Sequence, residues 1–188
     1  MMSSQPESPI IIIGAGIGGL TLGAILRRLS IPFTILERTA ELTPVGAGLS
    51  LAPNCLAALH QLGLKDIINE NSQELRKVRI HRVRGDEVEE WKELNFGLAE
   101  KWFGFNVRSI ERHSFHRVLY EAAGGAETVR LGCKVEDVVD RGGEEVVVRL
   151  EGGEEVRGRM VAAADGIRSV TRRVVSSSRP ELTQIDIC

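Results

Sequence analysis

Blocks of apolar residues at the start of the chain predict a strand, a helix and a second strand in that order. Residues Ile10–Ile13 are all β-branched, and a run this short and apolar predicts a buried strand. A helical pattern of apolar positions follows and is broken at Pro32. Phe33–Leu36 predict the second strand, which ends at Glu37. Strands that alternate with helices in this way predict an α/β fold.

The first predicted strand runs directly into Gly14–Gly19, which fits the pattern G-x-G-x-x-G. Gly14 permits a tight turn, Gly16 lets a pyrophosphate approach the backbone, and Gly19 lets the helix pack closely on the strand. The helix N-terminus offers N–H groups and a positive dipole end to phosphates. Glu37 stands where an acid binds a ribose hydroxyl, and it favours FAD or NAD over NADP. The alternative is a glycine-rich turn in an ordinary α/β domain.

The middle of the chain is predicted to contain a loop, a helix, a hairpin and a further helix. Residues 39–50 are rich in small residues and predict a loop, whereas residues 53–62 predict an amphipathic helix. Alternation over residues 78–94, interrupted by the turn signal Gly85–Asp86, predicts a hairpin with one face in water. Residues 112–123 predict the further helix.

The last part of the chain is predicted to return to the first sheet. A short strand at residues 129–131 precedes a meander over residues 135–157, which is punctuated by glycine pairs. Residues 160–164 are wholly apolar and predict a buried parallel strand, followed by Asp165–Gly166 and another helix. An acid and a glycine at the carboxyl end of such a strand lie where an open α/β sheet places its ligand contacts.

The composition narrows the classes of function. The 188 residues are 43% hydrophobic and carry a net charge of −2, so charge gives no reason to expect nucleic acid or an anionic membrane as a partner. The three cysteines are widely spaced, which predicts neither a metal site nor a disulfide framework and favours a cytoplasmic location. No apolar run approaches the roughly 20 residues of a membrane span.

Four segments between Ile10 and Arg173 carry a family resemblance. They are Gly14–Gly19 with Glu37–Arg38; Gly46–Gly48, leading through Pro53–Asn54 to Leu62–Leu64; Arg112 with Phe115 and Leu119; and Val161–Ser169 with Arg172. Together they resemble the FAD-dependent aromatic hydroxylases, flavoprotein monooxygenases of the salicylate hydroxylase and p-hydroxybenzoate hydroxylase kind. The resemblance implies a Rossmann-like FAD-binding domain with a β-meander crossover and part of a small substrate-binding sheet.

The resemblance also implies a cofactor, its co-substrates and a set of binding residues. The cofactor would be FAD and the co-substrate NADH or NADPH, with molecular oxygen and a small aromatic or similar electron-rich molecule as the other reactants. Because FAD carries the chemistry in this family, neither a catalytic side chain nor a metal is implied. The residues implied to contact FAD are Gly14, Ala15, Gly16, Gly18, Gly19, Glu37, Arg38, Gly46, Gly48, Arg112, Val135, Asp165 and Gly166.

The resemblance gives specific roles to four of these residues. Arg112 would reach the FAD phosphates or ribityl chain, and the backbone of Val135 would lie beside the adenine. Asp165–Gly166 resembles a fingerprint linked to both FAD and NAD(P)H. Two structural alternatives stay open, namely that Arg112 only caps or forms an ion pair and that Asp165 only caps the next helix.

The resemblance divides the chain into segments. Residues 9–75 and 106–175 would form two parts of the FAD-binding domain, residues 76–105 a partial substrate-binding hairpin region, and residues 1–8 and 176–188 tails. Family members continue to a Gly-Asp motif beside the flavin, and no such motif follows Asp165. The 188-residue chain is therefore expected to be incomplete, with a partner chain completing the fold as one alternative.

Two other functions remain open on the sequence. The chain could be a module that binds FAD or ADP without catalysis, which NADPH consumption with a phenolic substrate would exclude. It could also be an NAD-linked dehydrogenase, which shares the first motif but needs a catalytic His, Lys or Tyr-Lys arrangement that is not evident here. Binding of FAD compared with NAD separates the dehydrogenase from the flavoprotein.

Overall fold

The computed structural model of the protein describes residues 8–43, 46–141 and 145–178. It divides into two compact units, of which unit 1 holds the described residues of Met1–Thr43 and Leu119–Cys188 and unit 2 those of Pro44–Val118. Most of the predicted tails, residues 1–7 and 179–188, lie outside the described residues. So do residues 44–45 of the predicted loop and residues 142–144 of the predicted meander.

The chain alternates strands and helices at its start and returns to strands near its end. In chain order the elements are β1 (Ile10–Ile13), α1 (Ile17–Arg28), β2 (Phe33–Leu36), β3 (Gly48–Leu51), α2 (Pro53–Gln61), α3 (Lys65–Glu70), β4 (Ser72–Glu74), β5 (Lys77–Arg84), β6 (Glu87–Asn95), α4 (Ala99–Phe103), β7 (Arg108–Glu111), α5 (Arg112–Ala123), a 3-10 turn (Gly125–Glu127), β8 (Val129–Arg130), β9 (Val135–Asp140), β10 (Val146–Leu150), β11 (Glu155–Gly158), β12 (Met160–Ala163) and α6 (Val170–Ser178).

A parallel sheet in the order β12-β1-β2-β8 organises unit 1. The isoleucines of β1 lie in the middle of this sheet, and Ile11 and Ile12 are fully buried, as the apolar run predicted. Strands β9, β10 and β11 form the predicted antiparallel meander in the order β11-β10-β9. Ile11, Leu36 and Val148 share one buried cluster, so the sheet and the meander pack on each other. The predicted α/β class is confirmed.

Strand β12 differs from its prediction as a buried strand. It pairs in parallel with β1, but it stands at the edge of the sheet and its first residue, Met160, is 56% exposed. A wholly apolar run predicts burial on both faces, but an edge strand has a neighbour on one side alone. The pattern therefore identified the strand and its direction but not its place in the sheet.

Unit 2 contains a sheet in the order β3-β7-β4 and a separate β5–β6 hairpin. The hairpin turns at Gly85–Asp86, as predicted. The prediction of a loop over residues 39–50 was wrong at its end, because β3 begins at Gly48 and pairs with β7. Two leucines alternate along β3, and Leu51 is buried, but so short an alternation next to glycines gives little strand signal. Helices α3 and α4, of 6 and 5 residues, had no predicted counterpart.

The helices of the described part of the chain include none with the length and apolar character needed to cross a membrane.

Candidate functional site

The turn between β1 and α1 needs glycine at two positions for reasons of packing alone. Gly14 has a φ of +102°, and a Cβ there would lie 2.5 Å from the carbonyl oxygen of Ala164. A Cβ at Gly19 would overlap the carbonyl oxygen of Gly14. These two glycines let the turn, α1 and the end of β12 approach each other closely.

Gly16 and Gly18 have no such internal reason to be glycine. Apart from atoms of the chain neighbours and the nearby backbone of α1, a Cβ at either position would meet no described heavy atom within 4 Å, and both residues are exposed. Gly16 has a φ of −71° and a ψ of 179°, which other residues adopt without strain. The open space above the two glycines is a cradle that side chains would fill, and it fits a diphosphate that must approach the backbone.

The N-terminus of α1, directly beside this open space, carries no side-chain cap among the described residues and no acid in its first turn. The N-terminus of α6 is the opposite case. Asp165 Oδ2 accepts hydrogen bonds from the N–H groups of Val170 at 2.8 Å and Thr171 at 3.2 Å, and Ser169 Oγ accepts one from the Arg172 N–H at 2.8 Å. Of these two helix N-termini, α1 is the one left available for an anion.

The carboxylate of Glu37 is turned towards the glycine turn. Its Oε2 accepts a hydrogen bond from the N–H of Ala15 at 2.8 Å, and its Oε1 accepts two from Thr39. Ala15 is buried, so this bond ties the end of β2 to the interior of the turn. The structure thus brings together the predicted phosphate-binding glycines and the predicted ribose-binding acid.

Asp165 and Gly166 follow β12 at the same edge of the sheet. A Cβ at Gly14 would lie 3.2 Å from the Cα of Asp165, so the two turns are in contact. Partial burial acts to raise the pKa of the Asp165 carboxyl, but hydrogen bonds from Ser169 and from the start of α6 outweigh it and hold the pKa below its ordinary value. The predicted alternative, that Asp165 caps the next helix, describes what this side chain does here.

Val135 and Arg38, two further predicted residues of unit 1, have no recorded side-chain contact with the glycine turn among the described residues. Val135 is 8% exposed and packs in the buried cluster with Ile11 and Leu36. A contact of Val135 with adenine would therefore have to use the backbone, as the resemblance implied. Arg38 is exposed.

Gly46, Gly48 and Arg112 form a separate cluster in unit 2. Gly46 has a φ of +87°, and a Cβ there would lie 2.9 Å from Cδ of Arg112. The N–H of Arg112 donates to the carbonyl of Ala47 at 3.1 Å, and Gly48 pairs with Glu111 across β3 and β7. Glycine at position 46 is thus what allows the Arg112 side chain to pass beside this segment.

Sequence reasoning missed Thr39, whose N–H and hydroxyl both hold Glu37 Oε1, at 2.9 Å and 3.1 Å. The available signal was its position two residues after the acid, since hydroxyl and carboxylate side chains commonly bond to groups two residues away. The described residues contain no group of three or more metal-binding side chains. What this edge can do chemically is bind an anion beside a hydrogen-bonded carboxylate.

Comparison with known proteins gives a family and several relatives. A family model described as an FAD binding domain matches residues 7–186. The FAD-dependent monooxygenase pytG of Aspergillus terreus is 57% identical over 187 residues, which cover 96% of this chain and 55% of pytG. The FAD-dependent monooxygenase pynG of Aspergillus niger is 47% identical over 179 residues, which cover 94% of this chain and 40% of pynG. The chain spans about half the length of these curated relatives.

Among solved structures, the chain resembles HpxO of Klebsiella pneumoniae complexed with FAD and uric acid. The TM-score is 0.75 at 26% identity, and the match covers 88% of this chain and 41% of HpxO.

Proposed function

The chain belongs to the FAD-binding domain family, and on that premise we propose that it binds the ADP part of FAD in an NAD(P)H-dependent flavoprotein monooxygenase. The observation that carries the proposal is the open space over Gly16 and Gly18 at the uncapped N-terminus of α1, in a turn to which the Glu37 carboxylate is hydrogen-bonded. A diphosphate fits the first two features and a ribose hydroxyl fits the third.

Each part of the site has a definite task. The N–H groups at the start of α1 hold the diphosphate, helped by the positive end of the helix dipole. Glu37 accepts a hydrogen bond from the adenosine ribose, and its negative charge disfavours a nucleotide with a 2′-phosphate. Gly14 and Gly19 bring the turn close enough to β12 for both contacts to form. FAD, when bound, supplies the oxidation–reduction chemistry, and the chain supplies its position.

The remaining predicted contacts belong to the same proposal. Arg38, Gly46, Gly48 and Arg112 bind FAD in the family resemblance, as do the backbone of Val135 and the turn Asp165–Gly166. The co-substrates are NADH or NADPH and molecular oxygen, and the substrate is a small aromatic or other electron-rich molecule. Support comes from pytG and pynG, which are named monooxygenases, and from HpxO, which is described with uric acid. The free thiols of Cys55 and Cys133 suit a reducing, cytoplasmic location.

The first test is a direct measurement of cofactor binding. The 188-residue chain is purified, and FAD, ADP and NAD are each titrated into it by calorimetry. FAD and ADP should bind at a common site, so ADP should compete with FAD. Glu37→Gln should weaken both, whereas Glu41→Gln, a matched change at an exposed acid four residues later, should not. Preferential binding of NAD, or unchanged FAD binding by Glu37→Gln, would contradict the proposal.

A second measurement tests catalysis separately from binding. Oxidation of NADH and NADPH is followed in the presence of FAD, oxygen and a panel of phenolic substrates. Turnover that depends on substrate supports the monooxygenase, and pytG, which is named a monooxygenase, is assayed beside it for comparison. FAD binding by this chain without turnover of any substrate would instead support the non-catalytic module.

A further inference from the structure

Both oxygens of the Glu37 carboxylate accept hydrogen bonds from the protein itself. Oε2 accepts one hydrogen bond, from Ala15 N–H at 2.8 Å. Oε1 accepts two, from the N–H of Thr39 at 2.9 Å and from its hydroxyl at 3.1 Å. Both oxygens are therefore fixed before any nucleotide arrives.

Residues 37 and 39 are themselves fixed by backbone pairing to the end of β8 and the segment that follows it. The N–H of Glu37 donates to Arg130 at 2.9 Å, and the Glu37 carbonyl accepts from Cys133 N–H at 2.7 Å. The carbonyl of Thr39 accepts from Gly132 N–H at 2.8 Å. The backbone of Thr39, whose N–H holds Oε1, thus cannot move away from Glu37 without breaking this pairing.

Counting acceptor sites leaves little capacity for a ligand. A carboxylate offers about four lone-pair sites, two on each oxygen. Oε1 uses both of its sites on Thr39, whereas Oε2 uses one on Ala15 and retains one. In this arrangement Glu37 can accept one further hydrogen bond, and that bond must be made at Oε2.

We propose that Thr39 is a positioning residue that occupies Glu37 Oε1 and thereby restricts Glu37 to one of the two adenosine ribose hydroxyls. This inference rests on the proposed function, since it concerns the same ribose contact. With this restriction the site recognises a single ribose hydroxyl. Removal of that hydroxyl should lower the affinity for the nucleotide strongly, and removal of the other should hardly change it.

The test compares three nucleotides and three forms of the 188-residue chain by calorimetry. The nucleotides are ADP, 2′-deoxy-ADP and 3′-deoxy-ADP. The proteins are the unmodified chain, Thr39→Val, which removes the hydroxyl but keeps the N–H, and Thr34→Val. Thr34 is the matched control, because its hydroxyl donates to the Thr128 carbonyl at 3.4 Å and not to Glu37.

In the unmodified chain, one deoxy nucleotide should bind about tenfold more weakly than ADP, and the other should bind within about twofold of ADP. Thr39→Val should weaken ADP binding by about two- to fivefold, because the carboxylate loses one of the donors that position it. It should also shrink the difference in affinity between the two deoxy nucleotides, because Oε1 becomes open to the second hydroxyl. Thr34→Val should leave the difference unchanged. Thermal unfolding of each variant monitors folding independently.

Several results would overturn the inference while leaving the proposed function in place. One is an equal loss of affinity for both deoxy nucleotides, relative to ADP, in the unmodified chain. Another is a difference in affinity between the two deoxy nucleotides that Thr39→Val leaves unchanged. If Thr39→Val lowered the affinity for all three nucleotides by the same factor, Thr39 would have a merely structural role. If the unmodified chain binds neither ADP nor FAD, the proposed function and the inference both fail.

Discussion

Gly14 and Ala164 are so close that a Cβ on Gly14 would lie 2.5 Å from the Ala164 carbonyl oxygen. The contact joins the ends of two neighbouring parallel strands, β1 and β12, and it places the glycine turn beside Asp165. The same turn holds Gly16, where a Cβ would meet no described atom within 4 Å beyond those of its chain neighbours. Glycines of one motif therefore serve two purposes: Gly14 allows close packing on β12, and Gly16 leaves space open for a ligand. Substitutions at the two positions should distinguish these purposes.

Gly14→Ala should destabilise the chain by about 2–4 kcal/mol, because the new methyl group meets a backbone carbonyl and the positive φ is strained for alanine. Urea unfolding measures this loss. A variant as stable as the unmodified chain would show that β12 can move away from the turn at little cost.

Gly16→Ala should leave the free energy of unfolding within about 0.5 kcal/mol of the original, since its backbone conformation is ordinary and the space is open. Its affinity for ADP should fall by about tenfold, because the methyl group occupies the space of the diphosphate. Calorimetry and urea unfolding are done on the same preparation. Retained affinity with normal stability would place the diphosphate elsewhere.

Asp165→Ala should cost about 1–2 kcal/mol of stability, because it leaves two N–H groups of α6 without their cap. The native pKa of Asp165 is lowered, so its contribution is complete above the unfolded pKa of about 4 and is lost as the pH falls through the native pKa. Unfolding should be measured at pH 7 and at pH 3. Asp165→Asn can still accept hydrogen bonds, so it should lose less stability than Asp165→Ala at pH 7. It should also lack the decrease in stability at low pH that protonation of Asp165 causes.

Ser30→Gly should stabilise the chain by about 0.5–1 kcal/mol. Ser30 has a φ of +57° just after α1, where its N–H donates to Arg27 and the N–H of Ile31 donates to Leu26. This is a helix C-terminus that favours glycine, and a side chain in that conformation carries a steric cost. Ser30→Ala keeps the Cβ and should not stabilise. Equal melting temperatures for the glycine and alanine variants would contradict this explanation.

The sequence was most informative where the structure is local. Strands β1 and β2 were predicted to the residue, because an apolar run, a glycine turn and a helix in succession leave few alternative folds. The resemblance to FAD-dependent monooxygenases rested on the glycine turn with Glu37–Arg38 and on three later segments. The family model and the named relatives confirm this resemblance.

Features that depend on distant pairing were not accessible in the same way. The pairing of β3 with β7 joins Gly48 to Glu111, and no local pattern near Gly48 indicates it. The exposure of β12 depends on which strands stand beside it, which its own composition does not encode. Thr39 escaped notice because a single threonine after a strand is unremarkable until its hydroxyl is seen to bond to Glu37. The cofactor contacts of all the site residues named from the sequence remain predictions.

The β5–β6 hairpin of unit 2 has a practical use. Its turn at Gly85–Asp86 is exposed, a Cβ at Gly85 would touch no described atom within 4 Å, and the strands pair only with each other among the described residues. Exposed loop tips of this kind tolerate insertions well. A short affinity tag or a fluorescent label placed there would serve to purify or follow the protein.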